Sequence, residues 1–346
     1  MPARPAFGIG DLRIPPGARQ TVDLPVSTLF DHTPVTMSVH AVHGHRAGPT
    51  LFVSAAVHGD EIIGVEITRR LMRASQLRNL RGTLLIVPIV NSFGFWSHSR
   101  YLPDRRDLNR SFPGTESGSL ASRLANLFMH EIVARSDFGI DLHSAAIHRM
   151  NMPQIRVSPS SDRTMALADA FGAPIIMRSK LRDGSLRQAA QKKGVDMLVF
   201  EAGEALRFDE LSIRSGVAGI LRVMQSLGML PGRSVSRAKV KPIQSTSSSW
   251  LRAPGAGLLR SYKTTSTSVA KGELLGIISG PFGEIENEIR SETDGVIVGR
   301  TLMPAVNEGD ALFHIASISQ AGTQATITNL SAQLDDAYLF DEDEII

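Results

Sequence analysis

The chain's 346 residues leave room for two domains with sizeable cores, and 42% hydrophobic with 21% charged content describes an ordinary soluble globular protein. A formal charge of +3 without a long basic run speaks against a dedicated nucleic-acid binder, and no apolar stretch approaches the ~20 residues of a membrane span. The absence of cysteine excludes disulfides, thiolate metal sites and a cysteine nucleophile, and an opening segment without an apolar signal core makes the cytoplasm the expected location.

In chain order, residues 1–20 are rich in Pro, Gly and Arg and read as an arm. VTMSVHAV (35–42) alternates as a strand does, HGHRAGP is a turn, and TLFVSAAV (50–57) is a continuous apolar run suited to a strand buried on both faces. Helical periodicity follows from Glu61 to Ala74, then a buried strand GTLLIVPIV (82–90), a helix (118–135) and a short strand FGIDLHS. A helix (161–171), a strand (174–178), a helix (185–193), a strand (195–201) and a long helix (209–228) complete the series. This alternation predicts an α/β domain whose largely parallel sheet is covered on both faces.

The texture changes after Pro231. KPIQSTSSSW (241–250) reads as a linker or domain edge. Beyond it the chain repeats itself: RAPGAGLL…VAKGELLGI from Arg252 matches RSETDGVIV…VNEGDALFHI from Arg290. Gly257 pairs with Gly295, Val269 with Val306, Gly272 with Gly309 and Glu273 with Asp310, so two interlocking halves of a small all-β barrel or sandwich are expected. The division is then an α/β domain over 1–240, a β domain over 241–318 and an acidic, solvated tail over 319–346.

Four motifs carry chemistry. His58-Gly59-Asp60-Glu61 stands where an apolar strand turns into a helix, at the carboxyl end where open α/β sheets bind ligands. His and Glu are zinc ligands, although alone they equally suit a buried histidine beside an acidic helix start. Asp141-Leu142-His143-Ser144 ends a second apolar strand. His143 with His58 and one carboxylate would leave a zinc position open for water. RYLPDRRDLNRSFPG (100–114) packs arginines around an asparagine, a set able to fork onto a carboxylate, although a solvated basic loop has the same composition. In LVFEAGE (198–204), Glu201 ends the last core strand, where a carboxylate suits proton transfer or caps a turn. His40, His43 and His45 form a second histidine group, with no carboxylate beside it.

The ordered set HGDE, DLNRSFPG, DLHS and FEAG resembles the aspartoacylase and succinylglutamate desuccinylase family, over roughly residues 35–315. The resemblance implies a three-layer α/β/α zinc carboxypeptidase-like fold with a mixed, largely parallel sheet. It implies one zinc ion held by His58, Glu61 and His143, with Glu201 as general base. Asn109 and Arg110 match the pair that holds a substrate carboxylate, Asp107 the acid that orients the first histidine, and Arg100 the arginine that polarises the scissile carbonyl. Arg105 and Arg106 stand close enough to compete for that last role. HRMNMPQIR (148–156) offers further substrate contacts through Arg149, Asn151 or Arg156. The C-terminal repeat resembles the barrel-sandwich carriers of biotin and lipoate, but Glu284 stands where the modified lysine would be. The unit therefore reads as an inert cap or a contact between subunits of a homo-oligomer.

The implied activity is zinc-dependent hydrolysis of a small N-acyl amino acid's amide. Zinc lowers the pKa of water toward ~7, so no serine nucleophile is required. A metallocarboxypeptidase acting on peptides uses the same ligands, and a non-catalytic metal- or carboxylate-binding protein would lack a ligand or the base.

Overall fold

The computed structural model describes residues 4–158, 161–232, 234–238, 241–283 and 286–318. Position 284 and the acidic tail lie outside them. Phe7–Ile9 (β1) and Leu12–Ile14 (β2) form a hairpin, followed by Arg19–Thr28 (β3), Pro34–His43 (β4) and Arg46–Ala55 (β5). Ile63–Arg73 (α1), Arg81–Val87 (β6), Ser92–Trp96 (α2), Leu120–Glu131 (α3), Phe138–Ala145 (β7) and Arg149–Val157 (β8) come next. Asp162–Phe171 (α4), Ile175–Arg178 (β9), Leu186–Lys192 (α5), Asp196–Glu204 (β10) and Glu210–Ser226 (α6) complete the α/β part. Only strands follow: Ile243–Ser245 (β11), Ser248–Arg252 (β12), Gly257–Ser261 (β13), Ser268–Val269 (β14), Leu274–Ser279 (β15), Glu286–Arg290 (β16), Gly295–Thr301 (β17), Ala305–Val306 (β18) and Ala311–Ser317 (β19).

The main sheet runs β12-β19-β17-β8-β10-β7-β5-β6-β4-β3. Its centre, β10-β7-β5-β6, is parallel, and β8, β4 and β3 join antiparallel. Apolar residues on one face pack under α1, α4 and α6, with Phe171 and Phe200 at 5.2 Å between ring centroids. Those on the other face pack under α3 and α5, where Phe52 meets Phe128 edge-on. These three layers match the expected architecture. Helices α3 to α6 each start on a side-chain cap: Ser119, Ser161, Ser185 and Asp209 accept from the backbone N–H three residues on.

The C-terminal halves interlock as their repetition implies. β14 of the first half pairs with β17 of the second, Val269 opposite Gly295. β18 of the second half pairs with β13 of the first, Val306 opposite Gly257. Gly272 and Gly309 share a φ of +83° in equivalent turns. Glu273 accepts from Ala270 N, and Asp310 likewise from Asn307 N.

Two readings of the sequence need correcting. Residues 4–20 are not a loose arm: Ile9 and Ile14 are fully buried, and the Arg4 guanidinium donates to the carbonyls of Gly44 and Gly82. Nor is 241–250 simply a linker. Ile243 pairs with Ile175 of β9, and β12 pairs with β19. Ser245 is buried with its Oγ on the backbone carbonyls of Ser247 and Ser317, and this hydroxyl ties the stretch to β19. No gap in the sheet separates the two parts: β17 pairs directly with β8.

Gly219 of α6 packs on Phe171, where a Cβ would approach the buried ring to 2.2 Å. Gly219→Ala should lower Tm by several degrees in thermal unfolding. The overpacking cost of about 1–3 kcal/mol exceeds the ~1 kcal/mol gain in helix propensity.

Candidate active site

β5, β7 and β10 are adjacent and parallel, so their carboxyl ends open on one edge of the sheet. Along β7, Ile140 and Leu142 enter the core under α1, and Asp141 and His143 alternate to the other face. Register sets His143 beside Glu201 of β10, and Asp141 beside Ser54 of β5. After β5 the chain turns through Ala56, which holds a left-handed φ of 49°. Gly59 then lies against α2, where a Cβ would come within 1.9 Å of the Gly94 carbonyl carbon. Only glycine permits that approach, which seats His58 and Glu61 just ahead of α1.

Glu61 sits between two imidazoles. His58 Nδ1 donates to its Oε1 and His143 Nδ1 to its Oε2, both at 2.7 Å. The other nitrogens are held too: His58 Nε2 is 3.0 Å from Asp107 Oδ1, and His143 Nε2 is 2.7 Å from Asp141 Oδ2. Arg100 binds Asp107 through Nε and Nη2 and reaches Glu61 Oε1 at 3.2 Å through Nη1. Ser54 Oγ donates to Asp141.

Burial alone would make Glu61 a weak acid, but the imidazoles of His58 and His143 outweigh it and hold the carboxyl well below the usual range. Asp107 is held down likewise, against its burial, by His58 and Arg100. Burial opposes charge on the histidines. Glu61 and Asp107 nevertheless raise His58, and Asp141 and Glu61 raise His143 well above the ordinary value. Both rings thus act as donors at both nitrogens.

This donor set fits a divalent cation. Ligand atoms of His58, Glu61 and His143 all lie within 4.8 Å of one another, the one such group among the described residues. With neutral imidazoles, the carboxylates of Glu61, Asp107 and Asp141 face a single guanidinium, Arg100, leaving two negative charges to balance. The ion would take the two Nδ1 atoms and Glu61, while Asp107 and Asp141 fix each ring through Nε2. His40, His43 and His45 do not assemble: His43 bonds Thr83 and Pro5, and His40 bonds Thr21.

Beside this group opens a cavity of about 260 Å³. His58, Glu61, His143, Glu201, Arg100, Asn109, Arg110 and Arg149 all line it. Asp107 stands behind His58. Arg105 and Arg106 are exposed, and Arg106 pairs with Asp104. Asn151 and Arg156 hold Glu201: Asn151 Nδ2 donates to Oε2 at 3.0 Å, and Arg156 Nη1 is 3.3 Å from Oε1. Asn109 Oδ1 accepts from Leu186 N, joining the 107–110 loop to α5.

Sequence reasoning missed Asp141, Lys180, Arg182, Arg187 and Trp250. Asp141 was findable, since two residues apart on a strand share a face. RSKLRDGSLR (178–187), a basic run ahead of a helix, was a signal for the next three. Trp250 had none. Arg187 is half-buried, and loss of water first, then the neighbouring charges of Arg156 and Arg182, push it down to about 10. Arg110, Arg149, Lys180, Arg182 and Arg187 have no ion-pair partner among the described residues, so the cavity is strongly positive.

A three-layer α/β/α protein with a His-Glu-His group at the carboxyl ends of parallel strands is built around a candidate metal centre. Residues 47–227 match the profile of the succinylglutamate desuccinylase/aspartoacylase catalytic domain, and the chain belongs to that family. It is 26% identical over 286 residues to the N-alpha-acetyl-L-2,4-diaminobutyric acid deacetylase of Halomonas elongata, covering 79% of this chain and 84% of that one. A succinylglutamate desuccinylase/aspartoacylase structure from Rhodobacter sphaeroides superposes with a TM-score of 0.76 and 25% identity, over 87% of this chain and 96% of the other. The product-bound ectoine utilization protein EutE (DoeB) of Ruegeria pomeroyi shares the fold, with a TM-score of 0.79 at 24% identity, over 92% and 99%.

Because both histidines hold protons above their usual range, a divalent ion must displace protons to bind. Metal affinity should therefore rise with pH through the raised histidine values and fall in acid. Chelator competition between pH 6 and 9 checks the direction, and calorimetry in buffers of different ionisation enthalpy checks the proton release. His58→Ala and His143→Ala should each lose bound metal.

Proposed function

We propose that the protein is a zinc-dependent amidohydrolase that removes the acyl group from a small N-acyl amino acid. The observation that carries this reading is the shared edge of His143 and Glu201. Cross-strand register sets a carboxylate suited to proton transfer beside the candidate metal group, in one small cavity. When bound, zinc supplies a Lewis acid for the scissile carbonyl and lowers the pKa of a water.

The chain's own residues do the rest. Glu201 takes a proton from the attacking water and returns it to the leaving nitrogen, while Asn151 and Arg156 keep its carboxylate aimed. Arg100 is anchored by Asp107 and Glu61 and still has unused N–H groups to stabilise negative charge on the carbonyl oxygen. Asn109 and Arg110 take the substrate's carboxylate.

A cavity of about 260 Å³ with a wall from the C-terminal strands suits a small substrate better than a peptide, which disfavours a carboxypeptidase. The candidate ligands and base are all present, which disfavours a purely binding role. The unpaired cations also favour a substrate with a second acidic group over one with a free amine, the opposite of the side chain named for the Halomonas elongata relative. A hydrolysis screen of the zinc-loaded protein against acetyl- and succinyl-amino acids and short blocked peptides tests the reading. Acidic N-acyl amino acids should exceed N-acetyl-diaminobutyrate at least about tenfold in kcat/KM.

Glu201→Gln should keep its metal and lose roughly 10²–10⁴-fold in kcat, read by steady-state kinetics beside metal analysis. Arg110→Met should weaken binding of a carboxylate-bearing substrate by about 1.5–3 kcal/mol at unchanged Tm, and leave an amidated analogue little affected. Equal loss on both substrates would assign Arg110 a structural role.

A further inference from the structure

One wall of the cavity comes from outside the family-matched segment 47–227: the indole of Trp250, on edge strand β12. Register sets Trp250 directly across from His314 of β19, with ring centroids 4.7 Å apart and planes within 8°. His314 is buried, and its Nε2 lies 2.9 Å from Ser248 Oγ. Burial, then Arg156 and Arg182, push this imidazole down to about 3, so a neutral ring backs the indole. A neutral backing leaves the indole's electron-rich face available to a cation. The Arg149 guanidinium carbon lies 5.3 Å from the indole centroid, inside the ~6 Å reach of a cation–π contact. Arg149 has no ion-pair partner among the described residues, and it lies two positions before Asn151, which holds Glu201.

We infer that Trp250 is a positioning residue whose indole, backed by His314, holds the Arg149 guanidinium in the cavity as a preset contact for an acidic group of the substrate. This rests on the reading of the cavity as an N-acyl amino acid site. A free arginine loses rotamer freedom when it captures a ligand, and a stacked one has already lost it. The effect therefore falls on binding. Proton transfer is left alone, because Glu201 is held by Asn151 and Arg156 and not by Trp250.

Two measurements on the full chain test this separately. The sequence has two tryptophans, so Trp96→Phe leaves Trp250 as the sole emitter, and Trp96 does not line the cavity. In that background, without substrate, Arg149→Met should shift the emission. It should also cut quenching by iodide about twofold relative to quenching by acrylamide, because the guanidinium concentrates the anion. Unchanged emission and quenching would overturn the stack. In the zinc-loaded protein, Trp250→Leu should raise KM for N-acetyl-L-aspartate about tenfold with kcat within twofold, while Trp250→Phe, which keeps an aromatic face, should raise it threefold or less. A loss in kcat instead of KM, equal losses in the two variants, or a lowered Tm in Trp250→Leu would make the residue structural and overturn the inference. If the wild type hydrolyses no N-acyl amino acid, the proposed function fails, and the quenching measurement still decides whether Trp250 holds Arg149.

Discussion

A buried carboxylate shared by two imidazoles is the constraint on which the rest of the site depends. Removing Glu61 from water demands positive partners close by, and His58, His143 and Arg100 supply them. Each partner commits a further element. His143 needs Asp141, which ties β7 to Ser54 of β5. His58 and Arg100 both need Asp107, which fixes the loop after α2. That loop docks on α5 through Asn109 and Leu186, and the docking brings Arg182 and Arg187 to the cavity. One desolvated charge thus organises two strands, a loop and a helix start.

The same logic explains why the two sides of the cavity differ. Around Glu61, the carboxylates of Glu61, Asp107 and Asp141 each have an imidazole or guanidinium partner. Away from it, among the described residues, arginines and a lysine outnumber the one acid near them, Glu201, which pairs with Arg156. The protein is balanced for a divalent ion at one end and for an anion at the other. On the proposed reading, an acidic group of the substrate would complete the second end.

Much of this was legible in the sequence where strands are apolar and end abruptly. β5, β7 and β10 carry long apolar runs, so the polar residues at the end of each mark the sheet edge: His58, Asp141 with His143, and Glu201. β8 was illegible as a strand for a related reason. RMNMPQIRV breaks the apolar pattern because Asn151 and Arg156 serve Glu201, and Pro153 falls where the β8–β10 ladder shifts register and no N–H is required. The N-terminal hairpin was hidden because only two isoleucines of a Pro- and Gly-rich stretch are fully buried. The serine-rich stretch before Trp250 concealed strands for another reason: residues 246–249 are exposed on short strands, which leaves no hydrophobic signature.

The continuity of the sheet has a kinetic consequence. β10, β8, β17, β19 and β12 form one unbroken ladder, so the wall that Trp250 supplies is hydrogen-bonded, strand by strand, to the wall that holds Glu201. Swinging one part away from the other would break that ladder, and a rigid-body hinge is therefore closed to this molecule. What can move at the cavity is side chains: Arg110, Lys180 and Arg182 line it and are exposed, and exposed rotamers exchange in nanoseconds or less.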